Sequence, residues 1–230
     1  MKLPNCLLCS KTTVLIWLSP VFLSTLWYLV DRLWESAVQT VEVKHVFEEI
    51  HCSNVFNVSS NFSTYRQFNP KVISTKFLSS QTNANCLDGL LSNCRSFSVI
   101  YDEFLEHVPI RISNQGRYIT GVHENSRNFV IMSNTETCFR DWIRFCTLTN
   151  AVALLADAPE GCHLLERIEV HVPRILTVAA KAEAVKQRTD VHGRMSDFFT
   201  KDRFSCVENA QVTSLNFELL DYINNVWHIE

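Results

Sequence analysis

Glycine is scarce, with 5 residues in a chain of 230. Phosphate-cradling loops and the tight turns of nucleotide-binding βαβ units need glycine, because the backbone must approach the ligand closely. The scarcity therefore counts against a Rossmann or P-loop domain. An excess of positive charge is also missing: 21 Lys and Arg stand against 24 Asp and Glu, for a net charge of −3. That balance gives no electrostatic footprint for a nucleic-acid partner. The common catalytic signatures are absent too. There is no Gly-x-Ser-x-Gly elbow, no His-Glu-x-x-His, no Walker loop, no kinase set and no Asp-x-Asp pair. No catalytic, cofactor-binding or metal residue is assigned on this basis, and no cofactor is expected.

Charge is missing from one long stretch as well. Thr12 to Val30 contains no charged side chain. The 18-residue run 13–30 would span about 27 Å as a helix, against a bilayer core of about 30 Å. Trp27, Tyr28 and Trp34 sit where an interfacial aromatic belt belongs. Pro20 is a kink that membrane helices tolerate. Lys2 and Lys11 precede the run, whereas Asp31, Arg32 and Glu35 follow it, which places the amino terminus in the cytoplasm. The expectation is a type II single-pass membrane protein. Its parts are a cytoplasmic tail at 1–12, a transmembrane signal-anchor helix at 13–30, a loop-rich stalk at 31–64 and a lumenal or extracellular α+β domain at 65–230. A signal peptide ending at Ala37 and a buried core helix are the alternatives. Cys6 and Cys9, just before the run, are lipidation candidates.

The whole chain is 47% apolar and 20% charged, the composition of a folded protein. Val41, Val43 and Val46–Phe47 suggest a strand, and 71–78 a second. The Ser- and Asn-rich stretch 53–64 reads as loop. Short apolar runs at 97–101, 108–112, 117–122 and 128–132 are separated by Ser-Asn-Gln-Gly at 113–116 and Glu-Asn-Ser-Arg at 124–127, the pattern of an antiparallel β-meander. Phe139, Trp142, Ile143 and Cys146 then lie at helical spacing, and the helix is expected to run through 151–158 to Pro159. Residues 179–188 are strong helix formers. Val212, Leu215, Leu219, Ile223 and Val226 mark an amphipathic C-terminal helix. Strands followed by helices make the expected fold class α+β, behind a transmembrane helix.

Seven cysteines follow the apolar run: Cys52, Cys86, Cys94, Cys138, Cys146, Cys162 and Cys206. In an oxidising compartment most of them pair. Cys86 and Cys94 flank a short loop they are able to close. On one helix Cys138 and Cys146 would stand about 12 Å apart, beyond disulfide reach. An odd count leaves one thiol over, and Cys52 is the candidate for a bridge between two chains. Asn57-Val-Ser and Asn61-Phe-Ser are glycosylation sequons.

Remaining polar clusters read as ordinary surface. Asp102-Glu103 and Glu106-His107 are neighbours on a strand, so each pair points to opposite faces, the habit of a solvated strand end. Cys162-His163 with His171 fits no zinc spacing. The mixed charges of 181–203 read as a solvated face. The leading expectation is a non-enzymatic membrane glycoprotein of a cell or virus surface, acting through protein–protein contact. A disulfide-linked homodimer is compatible with it. The alternatives are a small membrane-anchored lumenal hydrolase or transferase, and an anchored assembly subunit with reduced thiols.

Overall fold

The computed structural model describes residues 24–29, 31–104, 111–139 and 145–201. Seven strands form one antiparallel sheet: β1 (Ser36–Glu48), β2 (Val72–Cys86), β3 (Leu91–Phe104), β4 (Arg111–His123), β5 (Phe129–Phe139), β6 (Phe145–Ala158) and β7 (Gly161–Pro173). Helices α1 (Cys52–Ser59) and α2 (Phe62–Tyr65) join β1 to β2. A 3-10 turn at Arg174–Leu176 leads from β7 into the long helix α3 (Thr177–Lys201). Across the sheet the order is β1-β7-β6-β5-β4-β3-β2. Strands β2 to β7 form a meander, and β1 adds at its far edge by pairing with β7. The α1–α2 connection therefore carries the chain from one edge of the sheet to the other.

The fold class is corrected from the expected one. The protein is mostly a seven-stranded antiparallel sheet with a C-terminal helix, and among the described residues no helix is long and apolar enough to cross a membrane. Of the run 13–30, the described part is helical residues 24–29, about 9 Å of helix; the rest lies outside the described residues. The reading as a single-pass type II membrane protein, with its signal anchor and envelope associations, is set aside with that helix. Residues 36–64, within the segment expected to be stalk, supply β1, α1 and the first three residues of α2.

The helix expected through 139–158 is also corrected. Phe139 ends β5 and Cys146 lies in β6, where its cross-strand partner is Cys138. The apolar run of β6 hides its period because both faces are covered. Ala151, Ala153 and Leu155 face one side, Val152 and Leu154 the other, and none is more than 9% exposed. A strand buried on both faces loses the alternation that marks a strand in sequence. The stretch 113–116, expected to be a turn, is interior to β4. Gly116 sits there because a Cβ would come 2.6 Å from the ring of Tyr118. The Ser- and Asn-rich 53–64 stretch is helical in α1 and α2, and Asn61 caps α2 by accepting from the Ser63 amide. The stripe 212–226 lies outside the described residues.

Two apolar layers flank the sheet. On the outer face Ile119, Val130, Met132, Val152, Leu154 and Leu165 cluster with Leu87, Leu91 and Cys94 of the β2–β3 hairpin. On the inner face α3 crosses the β1–β7 half. Leu176, Ala180 and Ala184 pack near Val41, Val43, Ile168 and Val170. Two turns further on, Val191, Met195 and Phe199 meet Phe47, Leu155, Leu164 and Val55 of α1. These contacts recur at spacings of four and seven residues, so one stripe of α3 faces the sheet. The β6–β7 turn depends on Gly161, whose φ is +139° and where a Cβ would lie 2.1 Å from the Phe47 carbonyl oxygen.

Candidate functional site

Between the inner face of the sheet, α1, α2 and α3 lies a cavity of about 720 Å³. Packed interiors hold few voids larger than a water molecule, and ligand sites run to about 300–1,000 Å³. The sequence explains the space. Where α3 passes over the β1–β7 half of the sheet, Ala179, Ala180, Ala182 and Ala184 line the cavity, and the sheet lines it with Ala151 and Ala153. Small side chains on both layers leave space beside the contacts that Ala180 and Ala184 make with the sheet, while Met195 and Leu176 pack at either end. Most of the wall is apolar, with Phe47, Phe62, Phe97, Ile131, Ile168 and Val170 contributing.

Besides scattered hydroxyls such as Ser133, Thr135 and Thr149, buried carboxylates enter this wall at two stations. At the first, Glu166 of β7 projects from the inward column that otherwise reads Leu164, Ile168, Val170 and Val172. Its Oε1 lies 3.1 Å from Arg188 Nε of α3, and Arg188 Nη1 also donates to the Tyr65 hydroxyl of α2 at 2.6 Å. His192, one turn along α3, places Nε2 3.7 Å from Glu166 Oε2. That is beyond hydrogen-bond length. Glu166 Oε2 and His192 Nδ1 are buried without a hydrogen-bond partner. Burial raises the pKa of Glu166, partly countered by Arg188. Burial likewise works against the Arg188 charge, but Glu166 and Tyr65 outweigh it and raise its pKa. His192 is pushed down to about 3 by burial, then by Arg188 and His45, so it is neutral at physiological pH. Tyr65 is pushed up to about 12, chiefly by burial.

The second station surrounds Glu103 on β3. Asn69 Nδ2 donates to its Oε1 at 2.9 Å and Asn114 Nδ2 to its Oε2 at 3.3 Å. Thr137 Oγ1 in turn donates to Asn114 Oδ1 at 2.6 Å. Burial raises the Glu103 pKa against these hydrogen bonds. Beside it Lys71 and Glu183 form an ion pair at 2.5 Å that links the start of β2 to α3. Tyr101 and Tyr118 are hydrogen-bonded to each other nearby, and burial raises both pKa values.

No known family model and no curated protein matches the chain. Among solved structures the fold is similar to an uncharacterised protein from Rhizobium leguminosarum, at 11% identity and a TM-score of 0.48, covering 71% of this chain and 97% of that one. It is also similar to Ara h 8.0201, at 10% identity and a TM-score of 0.44, covering 70% and 99%. A third is a START superfamily protein from Mycobacterium smegmatis, at 15% identity and a TM-score of 0.38, covering 71% and 98%.

The residues singled out in the sequence fall mostly outside the cavity. Cys52 bonds Cys162, Cys86 bonds Cys94, and Cys138 bonds Cys146. Cys52, expected to reach a second chain, instead ties α1 to the start of β7. Cys138 and Cys146 are eight apart in sequence yet 4.2 Å apart at Cα, because they are cross-strand partners and not members of one helix. Glu136 lies beside that bond, but its two sulfurs are joined and offer no thiolate to a metal. Asn57 and Asn61 are exposed on α1 and at the α2 cap. His163 pairs with Glu160 on the surface. Cys6, Cys9, Cys206, Glu106 and His107 lie outside the described residues.

The reading of Asp102-Glu103 as a solvated strand end is half right in structure. Asp102 faces Arg111 and Ser74, but Glu103 is 8% exposed and faces the cavity. The charged stretch 181–203 is corrected similarly, since Glu183, Arg188 and His192 turn inward. The sequence did carry a signal for Glu166. In a period-2 column of Leu, Ile and Val, one inward glutamate breaks the pattern.

Proposed function

We propose that this protein binds an amphipathic small molecule, with an apolar body, in the cavity between the sheet and α3. The observation that carries the reading is the cavity itself: about 720 Å³, mostly apolar in its wall, with convergent polar groups at Glu166, Arg188 and Tyr65. Concave, largely apolar sites with a few placed polar groups are the usual form of a small-molecule site. The apolar wall supplies affinity by removing hydrocarbon from water, and the polar stations set the orientation of what enters.

Binding of the uncharged solvatochromic dye Nile red tests this. Fluorescence should rise and shift to the blue with the folded wild type, and thermal stability should rise with dye concentration. Ala153→Trp puts an indole into the space between Ile131 and Glu166, the cross-strand neighbours of Ala153. That variant should keep its circular dichroism and lose the dye. A folded wild type that leaves the dye unchanged, or an equal response from Ala153→Trp, overturns the reading.

A further inference from the structure

The two polar stations differ in one respect. Every carboxylate oxygen of Glu103 is taken by an asparagine amide. Glu166 has one oxygen on Arg188 and the other without a hydrogen-bond partner, although the residue is 5% exposed and lines the cavity. His192, 7% exposed, stands next to it with Nδ1 also unpaired. A buried acceptor left unmade costs its full desolvation penalty, so such an atom in a binding cavity marks a position where a ligand donor belongs. We infer that the cavity recognises a neutral hydroxyl on its ligand, which donates to Glu166 Oε2 and lies within reach of His192. This inference rests on the cavity-binding reading above and names the polar end of the same ligand.

Charge balance separates a hydroxyl from the ionic alternatives. Glu166 and Arg188 already neutralise each other at 3.1 Å, with Tyr65 on the far side of the guanidinium. A carboxylate or phosphate on the ligand would meet the Glu166 charge, and Arg188 has no spare countercharge to offer it. An ammonium would meet Arg188 in the same way. In a low-dielectric cavity an unbalanced charge is expensive. A hydroxyl brings a donor without a charge. The neutral imidazole of His192 complements it, because its tautomer is free to present either an N–H or a lone pair.

The test is displacement of Nile red from the wild type by decanol, decanoic acid and decylamine, three ligands with the same chain and different heads. Decanol should displace the dye at concentrations about ten-fold or more below the other two, the scale of one hydrogen bond to a charged group. In Glu166→Gln the acceptor charge is gone and Arg188 is left without its partner. There decanoic acid should overtake decanol. Displacement by the acid or the amine at or below the decanol concentration in wild type overturns the hydroxyl assignment while leaving the cavity reading intact. An unchanged order in a folded Glu166→Gln also overturns it. Failure of all three to displace a bound dye, or failure of the dye to bind, overturns the cavity reading and the inference together.

Discussion

Glu166 on β7 and Arg188 on α3 meet at 3.1 Å in the cavity wall, so one ion pair ties the long helix to the strand next to the sheet edge. The pair is desolvated on the glutamate side, where 7% of the side chain is accessible. Removing one partner strands the other. Arg188→Met is expected to lower unfolding stability by about 3 kcal/mol, and the double variant Glu166→Leu with Arg188→Met to recover most of that loss. Urea denaturation of the two single variants and the double gives the coupling directly. Additive losses would show that the pair does not act as a unit.

The disulfides close very different lengths of chain. Cys52–Cys162 spans a separation of 110 residues and Cys86–Cys94 one of 8. On loop entropy, replacing the first pair by serine should cost about 5 kcal/mol and the second about 2.5 kcal/mol. Thermal unfolding of the two double-serine variants checks the order. Equal losses would indicate that the unfolded chain is already compact around Cys52 and Cys162.

Gly161 is held at a φ of +139° with the Phe47 carbonyl against its Cα. Gly161→Ala must shift backbone in both the β6–β7 turn and the end of β1. A loss on the order of 2–3 kcal/mol is expected, whereas Gly193→Ala, on α3 with open space at its Cβ position, should stabilise by up to about 1 kcal/mol. Paired melting curves of the two variants provide the measurement.

His192 makes stability depend on pH. Its pKa is about 3 in the folded chain against an ordinary 6.5. Between those values the unfolded chain binds a proton that the native chain refuses, so this contribution is complete above pH 6.5 and drains away as pH falls. Glu103 and Glu166, with raised pKa values, act in the opposite sense: their contribution is complete below about pH 4.5 and is lost as pH rises through their folded values. These two remain in both proteins when wild type is compared with His192→Leu. The wild-type melting temperature should fall more steeply than that of the variant between about pH 7 and about pH 4. Parallel curves would show that His192 is protonated without penalty.

The parts of the fold that were legible in the sequence are those with one wet face. Strands β1 and β3 announce themselves through Val41 and Val43 and through Phe97, Val99 and Tyr101, whereas the β5 run ending at Met132 is covered on both faces and was placed by the turn signal at 124–127 before it. Strand β6 was illegible because Ala151–Leu155 is covered on both sides, and a five-residue apolar run fits either period. The turn signal at 113–116 misled because Gly116 serves the ring of Tyr118 and not a reversal of the chain. Of the site, Glu166 was missed because no strand was read over 161–173, although an inward glutamate in a column of Leu, Ile and Val is a signal once that strand is known. Arg188 and His192 were missed as well, since 181–203 mixes charges of both signs and only the packing of α3 shows which of them turn inward. The cavity itself has no sequence signature beyond the alanines of α3 and β6, which read simply as helix formers and filler.

Because β6 is covered on both sides, its neighbouring residues belong to different compartments. Odd positions 151 and 153 border the chamber and even positions 152 and 154 hold the opposite layer together. A single-residue insertion just before Ala151 would exchange these roles. Valine and leucine would crowd into the chamber, alanines would hollow out the far layer, and binding and folding would fail in one event. Substitutions that keep the count leave the two compartments free to vary separately.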